Sequence, residues 1–199
     1  MSRLTPLGQS QAQAAGPALA KALELPVSRV LVSPLTRAQQ TLALLRAAPE
    51  LSLPAAADDT VCDLLREVDL HRWEGRSKAE LLAEEAANYE AWKADARKFV
   101  VDGRRPIVDL WARARDAWSV IRDASSSPSS SSCTLVVAHN GLGVALLCVA
   151  LGLDETHFRD YAFDNCGALE IDWPAAASSP RRWRWLPPSP SPWARVDAP

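Results

Sequence analysis

A chain of 199 residues is the size of one ordinary α/β domain, which buries roughly two-thirds of its unfolded surface, so a continuous core is available. With 22 Lys and Arg against 24 Asp and Glu the net charge is −2 and both signs are scattered; there is no basic stripe to suit nucleic acid, and a mixed solvated surface is expected. No apolar run approaches the roughly 18 residues of a membrane span, and the opening MSRLTPLGQSQAQAAGPALAKAL has neither the apolar stretch of a signal peptide nor the arginine-rich character of a transit peptide.

After LTPLG, the residues Ala12, Ala15, Leu19, Ala22 and Leu23 recur at three- and four-residue spacing, predicting a helix with Thr5 as its cap and Pro6 in its first turn. RVLVSP reads as a short strand stopped by Pro34, and LTRAQQTLALLRAA as the helix after it. VCDLLREVDL predicts a second strand, running into a loop and one or two helices over residues 71–100. PIVDLWARARDAWSVIRD places Val108, Trp111, Ala114, Ala117, Trp118 and Ile121 on one face of an amphipathic helix. ASSSPSSSSC is a polar low-complexity loop. CTLVVAH is a third strand with GLGVALLCVALGL as its helix; ALEIDW and RRWRWL are a fourth and a short fifth strand. This alternation predicts an α/β fold of three layers, α/β/α, with a largely parallel sheet. The domain is expected over 1–174, with a Pro/Ser-rich strand and tail over 175–199. Cys62, Cys133, Cys148 and Cys166 show no CxxC spacing, so reduced thiols of an intracellular protein are expected rather than a zinc site.

Three places carry candidate chemistry. Arg37 lies one turn into a helix that follows a strand, beside Ser33 and Thr36, where free backbone N–H groups and a guanidinium fork both favour an anion; a surface arginine is the plainer reading. Glu67, in LREVDLHRWEG, is a candidate general acid at a strand end, with Asp69 and Glu74 as competitors and an exposed carboxylate as the plainer alternative. His139 is delivered by TLVVA to a strand's carboxyl end, with Asn140 and Gly141 opening the next helix. In a parallel sheet Arg37 and His139 emerge on one rim, which points to a phosphate pocket.

The segments LTPLGQSQAQAAGPALA, VLVSPLTRAQQTLALL, LLREVDLHRWEG and TLVVAHNGLGVALL resemble, in that order, successive motifs of the histidine phosphatase superfamily, the phosphoglycerate mutase-like fold, from about Leu4 to Trp173. YEAWKADARKFVVDGRRPIVDLWARARDAW and FDNCGALEIDW are similar to the plant and algal 2-carboxy-D-arabinitol-1-phosphatases of chloroplasts. The resemblance implies a phosphoric monoester hydrolase acting on a sugar phosphate without metal or cofactor. A histidine in an Arg-His-Gly motif, ending the first strand, attacks phosphorus; a glutamate protonates the leaving oxygen; water then releases phosphate. By motif match Arg37 and Asn140 are substrate-binding, Glu67 is the proton donor, and His139 stabilises charge on the transferring group. A plastid location is likewise implied only by the resemblance.

No Arg-His-Gly occurs in the 199 residues, and the sequence opens at the helix that in the family follows the first strand. A fold lacking that interior strand, with an open edge in the sheet, is therefore expected, along with an inactive or impaired chain. His71 and His157 have neither the strand nor the flanking residues to substitute. Three readings stay open: a truncated sugar-phosphate phosphatase, a non-catalytic sugar-phosphate-binding protein, and phosphoglycerate mutase-type phosphotransfer in the complete protein. Oligomeric state is not legible.

Overall fold

The computed structural model describes residues 2–125, 132–174, 177 and 179–186. Most of the serine-rich loop and the proline-rich tail expected above, 126–131 and 187–199, lie outside these residues.

Helix α1 (Pro6–Ala22) starts as its sequence dictates: the Thr5 hydroxyl accepts from the Gly8 N–H at 3.1 Å, and Pro6 places in the first turn a residue with no N–H to satisfy. Its buried stripe includes Ala15, Gly16 and Leu19. At Gly16 a Cβ would lie 2.4 Å from Ala48 Cβ, just beyond α2 (Thr36–Arg46), so the absent side chain sets how closely the two helices approach.

Between these helices in sequence runs β1 (Val27–Val32), the middle strand of a parallel sheet flanked by β2 (Thr60–Val61) and β3 (Cys133–Val137). Strand alternation divides the core. Val30, Val32 and Val137 pack with α1 and α2 on one face. Leu31 and Val136 pack on the other face with α5 (Pro106–Ser125) and α6 (Asn140–Ala150). The expected three layers and parallel sheet are therefore present. Helix α6 is apolar all round and buries eight of its residues, as a helix inside a core must. The buried stripe of α5 runs through Ile107, Leu110, Trp111, Ala114, Ala117 and Ile121; Val108 and Trp118, expected on it, are half-buried at its margins.

Two features differ from the sequence expectation. The strand predicted over Val61–Leu70 ends at Val61 and gives way to a 3₁₀ turn at Asp63–Leu65. Leu64 and Leu65 both pack into the same cluster, and a strand sends successive side chains to opposite faces. The second difference is that β4 (Ala168–Asp172) pairs with β5 (Arg182–Leu186) in an antiparallel sheet of its own. Among the described residues β3 is hydrogen-bonded along one edge, to β1, and β4 along one edge, to β5. Leu135, Val137, Ala168 and Leu186 nevertheless share one apolar cluster, so the two sheets belong to a single core.

Residues 70–101 carry the short helices α3 (Lys78–Glu84) and α4 (Ala86–Ala94) over a smaller cluster of Trp73, Leu81, Phe99 and Val101. Glu85 ties this region together by accepting from Arg72, Arg76, the Trp73 indole N–H and Asn88. The Arg72 bond, ahead of those from Trp73 and Asn88, holds its carboxyl down at about 2. All four cysteines are free thiols.

Candidate active site

Because β1 and β3 are parallel and in register at Val32 and Val137, the residues following them leave the sheet on one rim. Ser33, fully buried, follows β1, and the next turn begins α2 with Arg37 as its second residue. His139 follows β3 and immediately precedes α6. The two side chains meet across 102 residues of sequence: Arg37 Nε donates to His139 Nδ1 at 3.2 Å. Arg37 Nη1 also donates to Ser2 Oγ at 2.9 Å, and His139 Nε2 lies 2.8 Å from Ser33 Oγ.

These contacts fix the imidazole's proton. A guanidinium N–H only donates, so Nδ1 is bare; Nε2 carries the hydrogen and donates it to Ser33. Burial, then the charge of Arg37, then that of Arg113, push the His139 pKa down to about 4. The rim thus presents a neutral histidine under the field of two guanidinium groups. Nε2, committed as a donor, takes no proton from Ser33, so the pair is not an activated nucleophile.

Glu67 reaches the same place by another route. It lies in the irregular stretch after the 3₁₀ turn, six residues beyond the end of β2 rather than at a strand end. Its carboxylate occupies the amino end of α6: Oε2 accepts from Gly141 N–H and Oε1 from Leu142 N–H, both at 3.1 Å, and Oε1 also accepts from Val68 N–H at 2.8 Å. The His139 side chain makes no capping bond there, so a carboxylate 74 residues away satisfies N–H groups that every helix start leaves open. A Cβ on Gly141 would sit 2.6 Å from Glu67 Oε1, which is why glycine follows Asn140.

Of the competing carboxylates, Asp69 is spent on its own turn, accepting from the His71 N–H at 2.8 Å, and Glu74 is exposed beyond Trp73. Asn140 stands beside His139, but its Oδ1 accepts from the Phe163 N–H at 2.9 Å and anchors that loop to α6. His71 pairs with Asp69, and His157 with Asp160 in a turn beyond α6. Arg113, which sequence reasoning did not single out, donates through Nη2 to the Glu67 carbonyl at 2.8 Å. Ser33 was legible as a junction residue but not as the partner of His139. Among the described residues no group of three or more His, Cys, Asp or Glu side chains converges to hold a metal ion. What the rim offers chemically is positive charge for an oxyanion, a neutral imidazole held between Arg37 and Ser33, and a carboxyl group seated on the first turn of α6.

Comparison with known proteins names the class that this fold and rim define. Residues 2–186 match the model of the histidine phosphatase superfamily (branch 1), and the chain belongs to that family. It is 32% identical over 171 residues to an Arabidopsis thaliana protein named "Probable 2-carboxy-D-arabinitol-1-phosphatase", covering 86% of this chain and 33% of that protein. It is 31% identical over 172 residues to the Triticum aestivum 2-carboxy-D-arabinitol-1-phosphatase, covering 86% of this chain and 32% of the wheat protein. The chain therefore spans about a third of the length of these relatives. Among solved structures, a mycobacterial glucosyl-3-phosphoglycerate phosphatase superposes with a TM-score of 0.70 at 27% identity, over 92% of this chain and 84% of the other. The α-ribazole phosphatase of Shigella flexneri shares the fold, with a TM-score of 0.67 at 24% identity, over 84% of this chain and 78% of the other. No helix among the described residues is long and apolar enough to cross a membrane.

Proposed function

We propose that this protein is a phosphoric monoester hydrolase of the histidine phosphatase type, acting on a sugar phosphate of the 2-carboxy-D-arabinitol 1-phosphate class. The observation that carries this reading is the meeting of Arg37 and His139, 102 residues apart, on the rim where Glu67 caps α6. Arg37 and His139 hold the phosphoryl oxygens, and Glu67, taking up a proton from water as the anionic ester binds beside it, passes that proton to the sugar oxygen as the P–O bond breaks. Asn140 has its side-chain amide N–H groups to offer the sugar, since its Oδ1 serves Phe163. In the complete reaction a histidine nitrogen bonds to phosphorus, the sugar leaves with the proton from Glu67, and water then cleaves the P–N bond to give inorganic phosphate. The 199 residues contain no Arg-His-Gly to supply that nitrogen, so the chain alone binds a phosphate ester and does not turn it over. The relatives named as sugar-phosphate phosphatases support the substrate class, and the plastid location implied by the plant resemblance goes with it.

The test has two parts. Titration of the chain with inorganic phosphate, followed by NMR, is expected to move the His139 ring resonances and raise its pKa, because a dianion opposes the field of Arg37 and Arg113. Fusion of a β-strand ending in Arg-His-Gly ahead of Leu4 is then expected to release phosphate from 2-carboxyarabinitol 1-phosphate. No response of His139 to phosphate would sink the reading. Transfer to a second hydroxyl by the fused protein, with no free phosphate, would replace hydrolysis by a mutase reaction.

A further inference from the structure

Glu67 sits in a stretch, Arg66 to Leu70, that belongs to no helix or strand, so its position rests on individual bonds. On the carboxylate side these are the α6 N–H groups of Gly141 and Leu142. On the main-chain side the bond comes from Arg113, which reaches from α5 across 46 residues of sequence to donate to the Glu67 carbonyl at 2.8 Å. The guanidinium is partly buried beside the α5 stripe, and its Nε–H is covered without a hydrogen-bond partner among the described residues. A surface arginine would relax toward water rather than hold a covered, unpaired donor, so this geometry is retained by what Nη2 and the charge do.

We propose that Arg113 is a positioning residue: by holding the Glu67 main chain against α5 it keeps the Glu67 carboxylate seated on the first turn of α6, beside His139. Its importance for phosphate chemistry rests on the function proposed above; its mechanical role does not. The groups that bear on His139 are Arg37 from α2, Arg113 from α5 and the Ser33 hydroxyl after β1, while the Glu67 carboxylate sits on the first turn of the helix that His139 precedes. After burial and Arg37, the charge of Arg113 also lowers the His139 pKa, in keeping with a guanidinium that faces this rim.

Arg113→Met keeps the length of the stem and removes the fork. In the 199-residue chain, hydrogen exchange at the Gly141 and Leu142 amides is expected to quicken about tenfold, while Leu146 and Leu147 in the same helix keep their rates. The His139 ring is expected to titrate at higher pH. Arg113→Lys, which retains the charge and one donor, restores most of both effects; Arg113→Gln, too short to reach the carbonyl, does not. If Met leaves both Gly141 and Leu142 protected, the inference is overturned whether or not His139 moves, because loss of the Arg113 charge alone shifts His139. Should the Met variant fail to fold, the contrast between Lys and Gln decides on the same readouts, and equal behaviour of the two overturns it. Inorganic phosphate separates the two ideas. Loosened Gly141 and Leu142 in Arg113→Met, with no phosphate binding by the unsubstituted chain, removes the proposed function and upholds the positioning role. Phosphate binding with undisturbed amides does the reverse.

Discussion

Gly141→Ala probes the Glu67 arrangement directly. Alanine in place of glycine in a helix ordinarily stabilises by about 0.5–1 kcal/mol. Here the new Cβ would meet Glu67 Oε1 at 2.6 Å and Cδ at 3.3 Å, so the carboxylate must leave. Its departure breaks the bonds from Gly141 and Leu142, each worth about 1.5–3 kcal/mol to a charged acceptor, with water replacing part of the loss at this half-covered rim. The net expectation is a destabilisation of about 2 kcal/mol, which lowers Tm by about 4–8 °C in a chain of this size. Thermal unfolding followed by circular dichroism reads it. The same substitution made in a Glu67→Ala background meets no carboxylate, so its sign should reverse and alanine should stabilise by up to about 1 kcal/mol. If Gly141→Ala is neutral or stabilising in the presence of Glu67, the close approach described here is wrong.

Acid should weaken the fold in two windows. His139 is depressed from 6.5 to about 4, so between those values the unfolded chain holds the extra proton. Its contribution is full above about 6.5 and is lost as pH falls toward 4, by roughly 3 kcal/mol at most. Denaturation midpoints of the chain and of His139→Gln, measured from pH 8 to 4, should converge on acidification; a constant gap refutes the assignment. Glu85, lowered from 4.5 to about 2, supplies the second window, with stability present above 4.5 and lost as pH falls toward 2. Glu85→Ala should accordingly speed proteolytic cleavage within residues 70–105, and unchanged cleavage would deny Glu85 its tethering role. Gly16→Ala drives a Cβ to 2.4 Å from Ala48 and should cost about 1–3 kcal/mol, read as a lowered Tm despite its better helix propensity.

The parts of the fold legible in the sequence were those with strong local signals. Thr5 with Pro6, the Ala12 to Leu19 spacing, and the apolar stripe of α5 all announce helices. Val27–Val32 and Cys133–Val137 announce parallel strands. The stretch after Val61 misleads because its apolar spacing suits a strand, and only the packing of Leu64 and Leu65 into one cluster forces the turn. At the site, Arg37 and His139 could be placed on one rim because each follows a parallel strand. Arg113 could not be found this way. Arg113 and Arg115 are alternate arginines on one amphipathic helix, and nothing local says that one reaches Glu67 while the other is exposed. The partner of Asn140 was equally hidden, since nothing local says that its Oδ1 accepts from the Phe163 N–H 23 residues away.

Among the described residues, the strand edges of β3 and β4 that lack a hydrogen-bonded neighbour carry a consequence for handling the 199-residue chain. Each offers a row of main-chain donors and acceptors five residues long with no proline to blunt it; β3 carries mostly apolar side chains, while β4 includes Glu170 and Asp172. Such rows are templates for any extended segment of matching length, including those of other copies of the chain. Self-association should therefore rise with concentration and respond more to mild denaturant than to salt, because main-chain pairing rather than charge drives it. A lysine on either edge strand should raise the concentration at which the protein stays in solution while leaving the α5–α6 side of the core untouched.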